Sequence, residues 1–547
     1  MGEDYIRRGA IGALLVIISL VALGAVPPHS VGGVTLRRIN ILSQLVESPA
    51  AHSAVEEVEL ELNEEEYVVD LDAVAREVEA ARDMMVTMAS ETSGGPIPES
   101  EPIDSAEMVE AVVERLLSED IELTPIEDFD TIPDGKLNKF YKKLSTKGET
   151  TRIAVLGDSF IEGDILTADL REAMQLCYGG CGAGFTPMAS PLTKYRRTIK
   201  TDSRGWESYN IMQRKSTPER YSENWAVSGW LCEPTADGSS VRWESTDNRE
   251  MLDSCSRVRL LFVSREASDI TVALNDGEAQ KFHFEGSEKL QQIEVCEEWI
   301  SCCEMTIKSG ANGFVGYGAI FEGDGVVVDN FSTRSNNGQA MLWTNPVVNV
   351  QLDGAIGGYD MVILQYGLNI LQRGVKNYTA YSEQIEKMIA FARLCFPRAA
   401  IVVMGVSDRS MRENGHYEPV VEAIDMTEYQ RLAAKKSAAV FWNTHSAMGA
   451  QGGMAQFVAN NWAAKDFTHI NFEGGRQIGR ALAEAISVAR NEAFPPVIEK
   501  PIFEPMARVG DLKGLRARSF GRDRALEAEI HKSTEQNQKG RRDRGVW

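Results

Sequence analysis

Basic residues are in short supply. The chain sets 57 Lys and Arg against 80 Asp and Glu, a formal net charge of −23 over 547 residues. A phosphate backbone needs Lys and Arg clustered on a basic face, so nucleic acid is set aside as a partner. Histidine is scarcer still, with seven in all, and chemistry that needs an imidazole has few residues to choose from. None of the seven lies near the eight cysteines, and CYGGC at 177–181 alone is a weak ligand pattern, which argues against a metal centre. Long apolar runs are lacking except at residues 11–26.

That run, IGALLVIISLVALGAV, follows Arg7 and Arg8 and precedes Pro27 and Pro28, as in a membrane anchor or a secretory signal. Its length exceeds the usual apolar stretch of a signal peptide and favours an N-terminal transmembrane helix over residues 1–30, with a cleaved signal as the alternative. Arg37 and Arg38 blur the charge bias, but a long following domain is exported largely regardless of such charges. The expectation is a single-pass membrane protein whose bulk is periplasmic or extracellular. Disulfides are permitted in that compartment: Cys177 with Cys181, or Cys296 with Cys302 or Cys303, would close short loops, and free thiols are the alternative.

An apolar content of 43% is that of a globular protein, and the length exceeds one ordinary core, so two folded units plus linkers are expected. Residues 31–148 read as an acidic helical linker, with helical patterns at 71–89 and 105–117 separated by the breaker SGGPIPESEP. Residues 149–193 and 330–492 read as one α/β domain. Short apolar runs at 153–156, 361–364, 401–404 and 440–442, all but the last soon followed by a helical pattern, fit a parallel sheet buried on both faces. Between the two parts, residues 194–329 carry short alternating runs, the last at 326–328, and predict an inserted all-β unit, a jelly roll or sandwich. Its Trp206, Trp225, Trp230 and Trp243 fill a core or stack on sugar rings. Residues 493–547 form a basic tail, read as disordered, either simply solvated or touching anionic envelope polymer or lipid.

Chemistry concentrates in three loops. IAVLGDSFIEGD places Ser159 just past a buried strand, where an open α/β sheet presents its ligand sites. A serine hydroxyl attacks only if a base takes its proton, so an imidazole must be within reach and held in one tautomer. In DFTH, Asp466 stands three residues before His469, a spacing that lets the carboxylate meet Nδ1 and leaves Nε2 facing the serine. His29, His52 and His531 lie in the linker and tail and His283 in a β pattern; His416 and His445 are the competitors. The third loop, QYGLN, follows the run at 361–364 and carries Asn369. The bland alternatives are a helix-capping turn for Ser159 and a strand-end turn for Asn369, while Asp164 either orders the site or caps the helix at 165–176.

Taken in that order, the motifs resemble the SGNH hydrolase superfamily, also called GDSL esterases, over about residues 151–192 and 331–490. The resemblance implies a flavodoxin-like three-layer αβα domain with Ser159 as nucleophile, His469 as base and Asp466 as its partner. It implies an oxyanion hole built from the Ser159 N–H, a second-block N–H and the Asn369 amide. In FSTRSNNG that second donor is Ser335 on its spacing from the strand, with Gly338 as the alternative. Two departures stand: Ile370 occupies the position of the usual Asp in GxND, and the second block lacks the usual clear glycine, which leaves its donor open between Ser335 and Gly338. GDSFIEGD, GGCGAGFTP and the β insert resemble envelope-associated peptidoglycan O-acetylesterases, which implies removal of acetyl esters from peptidoglycan or another polysaccharide without metal or organic cofactor. An O-acyltransferase with the same triad and a non-catalytic glycan-binding protein remain alternatives.

Overall fold

The computed structural model describes residues 29–31, 34–36, 60, 62–88, 123–132, 134–146, 148–413, 415–449 and 452–493. The apolar run at 11–26, the helical pattern at 105–117, His52, His531 and the basic tail from 494 lie outside them. Among the described residues no helix is long and apolar enough to cross a membrane.

The architecture is mixed α/β: one mainly parallel sheet with helices, and further antiparallel sheets. Counting only the elements built around the parallel sheet, these are α1 (Leu71–Met88), β1 (Ile126–Asp128), α2 (Lys136–Leu144), β2 (Thr151–Gly157), α3 (Thr167–Tyr178), β3 (Val326–Ser332), α4 (Pro346–Ala355), β4 (Met361–Gln365), α5 (Thr379–Cys395), β5 (Ala400–Met404), α6 (Glu422–Lys436), β6 (Val440–Trp442) and α7 (Phe472–Ala493). The sheet runs β3-β2-β4-β5-β6-β1, parallel from β3 to β6 with β1 antiparallel at the edge. β2, β4, β5 and β6 are buried at every residue, which is why they read as unbroken apolar runs rather than alternating ones. Helices α3 and α7 pack together, as do α4, α5 and α6.

Omitting β1, the chain passes through the parallel strands in the order 2-1-3-4-5. The strand order reverses between β2 and β4, and the crevice beyond their C-terminal ends is where such sheets bind ligands. The Ser159 and Asn369 loops leave from those two ends.

Three expectations are corrected here. The segment read as a linker supplies parts of the α/β body. α1 lies on α4 and α5 and buries Val74, Val78 and Ala81, β1 completes the sheet, and α2 buries Leu137, Phe140, Tyr141 and Leu144. Three-residue β1 is too short to give a strand signal, and the acidic residues around it hid it. The run at 326–328, assigned to the insert, belongs to β3, because a strand buried on both faces looks alike in either context. Conversely, Gly184–Pro187, expected in the α/β domain, pairs with Phe314–Glu322 of the insert.

The insert is a sandwich of two antiparallel sheets. One runs Gln291–Ile300, Cys255–Ser264, Phe314–Glu322, Trp230–Pro234, Trp206–Asn210; the other Gln280–Phe284, Ser268–Leu274, Cys302–Ser309, Ser240–Glu244, Lys200–Arg204. Phe262, Phe314, Trp243 and Ile270 share the core between them. Trp225, Trp230 and Trp243 are buried and Trp206 packs against the core, so these four are structural, and Trp299 is the tryptophan left exposed at 59%. Buried Glu322 joins the insert to the sheet, accepting hydrogen bonds from Arg152 of β2 at 2.6 and 2.8 Å and from Arg259 at 2.8 Å. All eight cysteines are free thiols, so neither expected disulfide closes its loop.

Candidate active site

Strand β2 ends at Gly157, directly beside Gln365 at the end of β4. A Cβ there would meet Gln365 Oε1 at 2.6 Å and the Gln365 carbonyl oxygen at 3.0 Å, so glycine lets the two loops leave side by side without displacing Gln365. Two residues on, Ser159 Oγ lies 3.3 Å from His469 Nε2. The opposite ring nitrogen, Nδ1, lies 2.7 Å from Asp466 Oδ2, and Asp466 Oδ1 accepts the backbone N–H groups of Thr468 and His469, each at 3.0 Å. Partial burial works to raise the Asp466 pKa, but the backbone N–H and ring of His469 and the N–H of Thr468 outweigh it and hold the carboxyl below its usual range.

Helix α7 brings His469 to the serine. Gly475 and Gly479 lie against the carbonyls of Ile165 and Leu166, in the segment that follows the nucleophile loop, and a Cβ at Gly475 would overlap Ile165 O. The other candidate histidines are elsewhere. His283 pairs with Asp269 on the insert, His445 lies 3.8 Å from Asp408, and His416 opens a hairpin strand.

In the second block Ser335 is exposed and holds a positive φ of 58°. The N–H groups of Gly338 and Ala340 are donated to Asn336 Oδ1 at 2.9 and 3.2 Å, and that of Asn337 to Gln339 at 2.9 Å. Of the two expected donors, then, Gly338 is engaged internally, whereas among the described residues no hydrogen bond ties down the Ser335 N–H. Asn369 is engaged as well: its Nδ2 donates to Asp158 Oδ2 and to Asn336 O, both at 2.9 Å. Asp158 is fully buried and also accepts the Phe160 N–H at 2.8 Å. Burial pushes its carboxyl up to about 7, against the lowering effects of Phe160, His469, Gln365 and Asn369.

Asp164 is neither a simple cap nor part of the reacting group. Its carboxylate, wholly buried, accepts from Thr167 Oγ1 (2.6 Å), Thr198 Oγ1 (2.7 Å), Arg196 (2.8 Å) and Arg171 (2.9 Å), pinning the end of the nucleophile loop to α3 and the start of the insert. Burial alone would raise its pKa, but Arg171 and Arg196 win and hold it well below the carboxylate range. A depressed pKa contributes stability that is present above about pH 4 and lost as pH falls. Asp164→Asn is therefore expected to cost about 3–5 kcal/mol at pH 7, because it strands two buried guanidinium groups. Chemical denaturation at pH 7 and pH 3 should show that deficit shrinking with acid. Sequence reading offered Asp164 as an ordering residue but did not find its partners, since Arg171, Arg196 and Thr198 carry no motif.

A small open cleft adjoins the nucleophile loop between sheet and insert, lined by Gly163, Asn330, Ser332, Ser190 and Trp230 among others. Among the described residues no group of three or more His, Cys, Asp or Glu is placed to hold a metal ion. What the arrangement supports is proton transfer from a serine hydroxyl to an imidazole whose far side is fixed by a carboxylate.

No family model matches the sequence, and no curated protein does. Among solved structures, a peptidoglycan O-acetylesterase superposes with a TM-score of 0.54 at 22% identity, covering 67% of this chain and 99% of that one. A GDSL-like lipase from Parabacteroides merdae (TM-score 0.23, 16% identity, 30% of this chain, 74% of that one) and a family two carbohydrate esterase from Cellvibrio japonicus (0.22, 10%, 54%, 98%) align more loosely and carry no weight alone. The strand order and the match along nearly the whole of the first of these neighbours agree: the chain shares the fold of that O-acetylesterase.

Proposed function

We propose that the chain is a serine esterase that removes O-acyl groups, chiefly O-acetyl, from a cell-envelope or extracellular polysaccharide such as peptidoglycan. Ser159 attacks the ester carbonyl while His469 Nε2 takes its proton, and Asp466 stabilises the imidazolium that forms. The oxyanion receives the N–H groups of Ser159 and Ser335 and one amide hydrogen of Asn369, released from Asn336 O as substrate binds. His469 then protonates the departing sugar oxygen, and water, activated by the same imidazole, releases the acid. The observation that carries this reading is the chain of contacts from Ser159 Oγ to His469 Nε2 (3.3 Å) and from His469 Nδ1 to Asp466 (2.7 Å).

The accessibility of the pair favours hydrolysis over acyl transfer. With His469 and Asp466 side chains 48% and 51% exposed, water reaches the acyl-enzyme freely, whereas transfer to a sugar requires its exclusion. The apolar run at 11–26 is proposed as the anchor that holds the enzyme outside the cytoplasm at its polymer substrate.

The test is incubation of the purified chain with a small chromogenic acetyl ester and with O-acetylated peptidoglycan, each with and without oligosaccharide acceptor. Free acetate is expected in every case. Acetylated acceptor in its place would make the protein a transferase, and no turnover of either substrate would make it a non-catalytic glycan binder.

A further inference from the structure

Phe467, between the two members of the acid–base pair, holds a φ of 55°. A bulky non-glycine side chain in the left-handed region costs about 1–2 kcal/mol and persists only where its surroundings impose it. Here the conformation has a purpose. It turns the chain back within DFTH, so that the Asp466 carboxylate meets the N–H groups of Thr468 and His469 together with the His469 ring. The turn is closed by Phe467 N–H donating to Ala464 O (3.1 Å) and Ala464 N–H donating to His469 O (2.7 Å).

What imposes it comes from a hairpin outside the main sheet, Ser410–Glu413 paired antiparallel with His416–Pro419. Ser410 N–H donates to Phe467 O at 3.0 Å, and the Tyr417 ring stacks on the Phe467 ring with centroids 4.2 Å apart and planes 17° from parallel. The same hairpin is tied to the Asn369 loop. Arg373 donates to Glu413 (2.6 Å) and to Glu418 O (3.0 Å), and Arg409, just before the hairpin, donates to Leu368 O (3.1 Å). Two of the three active-site loops thus lean on one brace, although neither Tyr417 nor Ser410 touches a reacting atom.

We infer that the 410–419 hairpin is a positioning element for the acid–base pair, with Tyr417 as its positioning residue, acting through Phe467. The inference rests on the esterase reading for its kinetics but not for its geometry. Without the stack, Phe467 relaxes toward negative φ, Asp466 swings away from Nδ1, and the imidazole loses the hydrogen bond that fixes its orientation.

The experiment has two arms. In the first, the Nδ1 proton that His469 shares with Asp466 is followed by NMR in the full chain, its signal assigned by loss in His469→Gln, and this arm needs no activity. Tyr417→Ala is expected to abolish that signal and Tyr417→Phe to leave it in place. In the second, kcat and KM are measured on the small acetyl ester. Tyr417→Ala should lower kcat about 10-fold or more with KM unchanged, and Tyr417→Phe should restore it.

Phe467→Gly and Phe467→Ala separate positioning from folding. Glycine accepts the left-handed conformation unaided and should keep more activity than alanine, and Tyr417→Ala should add nothing further in the Phe467→Gly background. The inference is overturned if Tyr417→Ala leaves both the shared-proton signal and kcat unchanged. It is equally overturned if Tyr417→Ala raises KM for the glycan alone, which would make the rings a sugar platform. If wild type turns over no ester while Tyr417→Ala still abolishes the shared-proton signal, the esterase reading fails and the brace stands.

Discussion

Replacing Ser159 with alanine is expected to lower kcat for acetyl-ester hydrolysis by about 10⁶-fold while leaving thermal stability unchanged. The size follows from the chemistry, because without the hydroxyl no acyl-enzyme forms and only positioning and the oxyanion donors remain, as in other serine hydrolases stripped of their nucleophile. The stability half follows from the surroundings. Ser159 is only partly buried, its Oγ meets just the exposed imidazole of His469, and deleting it strands no buried polar group. His469→Ala is expected to cost about as much, and the double variant no more than either alone, since the two act as a unit. Initial rates paired with thermal melts of all three variants check this. A Ser159→Ala enzyme within tenfold of wild type would remove Ser159 from the chemistry.

The candidate site was legible where it is local. Ser159 follows a buried strand within one motif and Asp466 reaches His469 across three residues, so short stretches of sequence carry their spatial relation. The parallel strands were legible for a similar reason, since burial on both faces writes itself as unbroken apolar runs, IAVL in β2, MVIL in β4 and IVVM in β5. That same property made β3 ambiguous, because nothing in VVVDNFS says which sheet buries it. The missed features are those made by distant pairings. β1 is a strand only because β6 offers an edge, Asp164 is a hub only because Arg171 and Arg196 converge on it, and Tyr417 matters only because Phe467 lies beneath it. The occupancy of individual donors was also hidden. A motif says that Gly338 and Asn369 are near the serine, but the capture of one by Asn336 and of the other by Asp158 and Asn336 is a matter of side-chain direction.

Asn369 therefore supports the second large prediction. In the resting site both amide hydrogens are engaged, so any bond to the substrate oxygen comes from trading Asn336 O for the developing oxyanion. An interaction made only as charge builds stabilises the transition state and not the bound ester. Asn369→Ala is accordingly expected to lower kcat by about 10²- to 10³-fold with little change in KM. The variant also takes one of its donors from the carboxylate of Asp158, which is fully buried and already pushed up to about 7. A carboxyl whose folded pKa is raised binds more protons folded than unfolded, so the stability linked to it is present below about pH 4 and lost as pH rises through 7. Asn369→Ala should steepen that loss, costing about 1–3 kcal/mol more at pH 8 than at pH 5. Denaturation at the two pH values reads this independently of turnover. If stability shifts as described and kcat does not, Asn369 is a prop for Asp158, and the hole consists of the backbone N–H groups of Ser159 and Ser335.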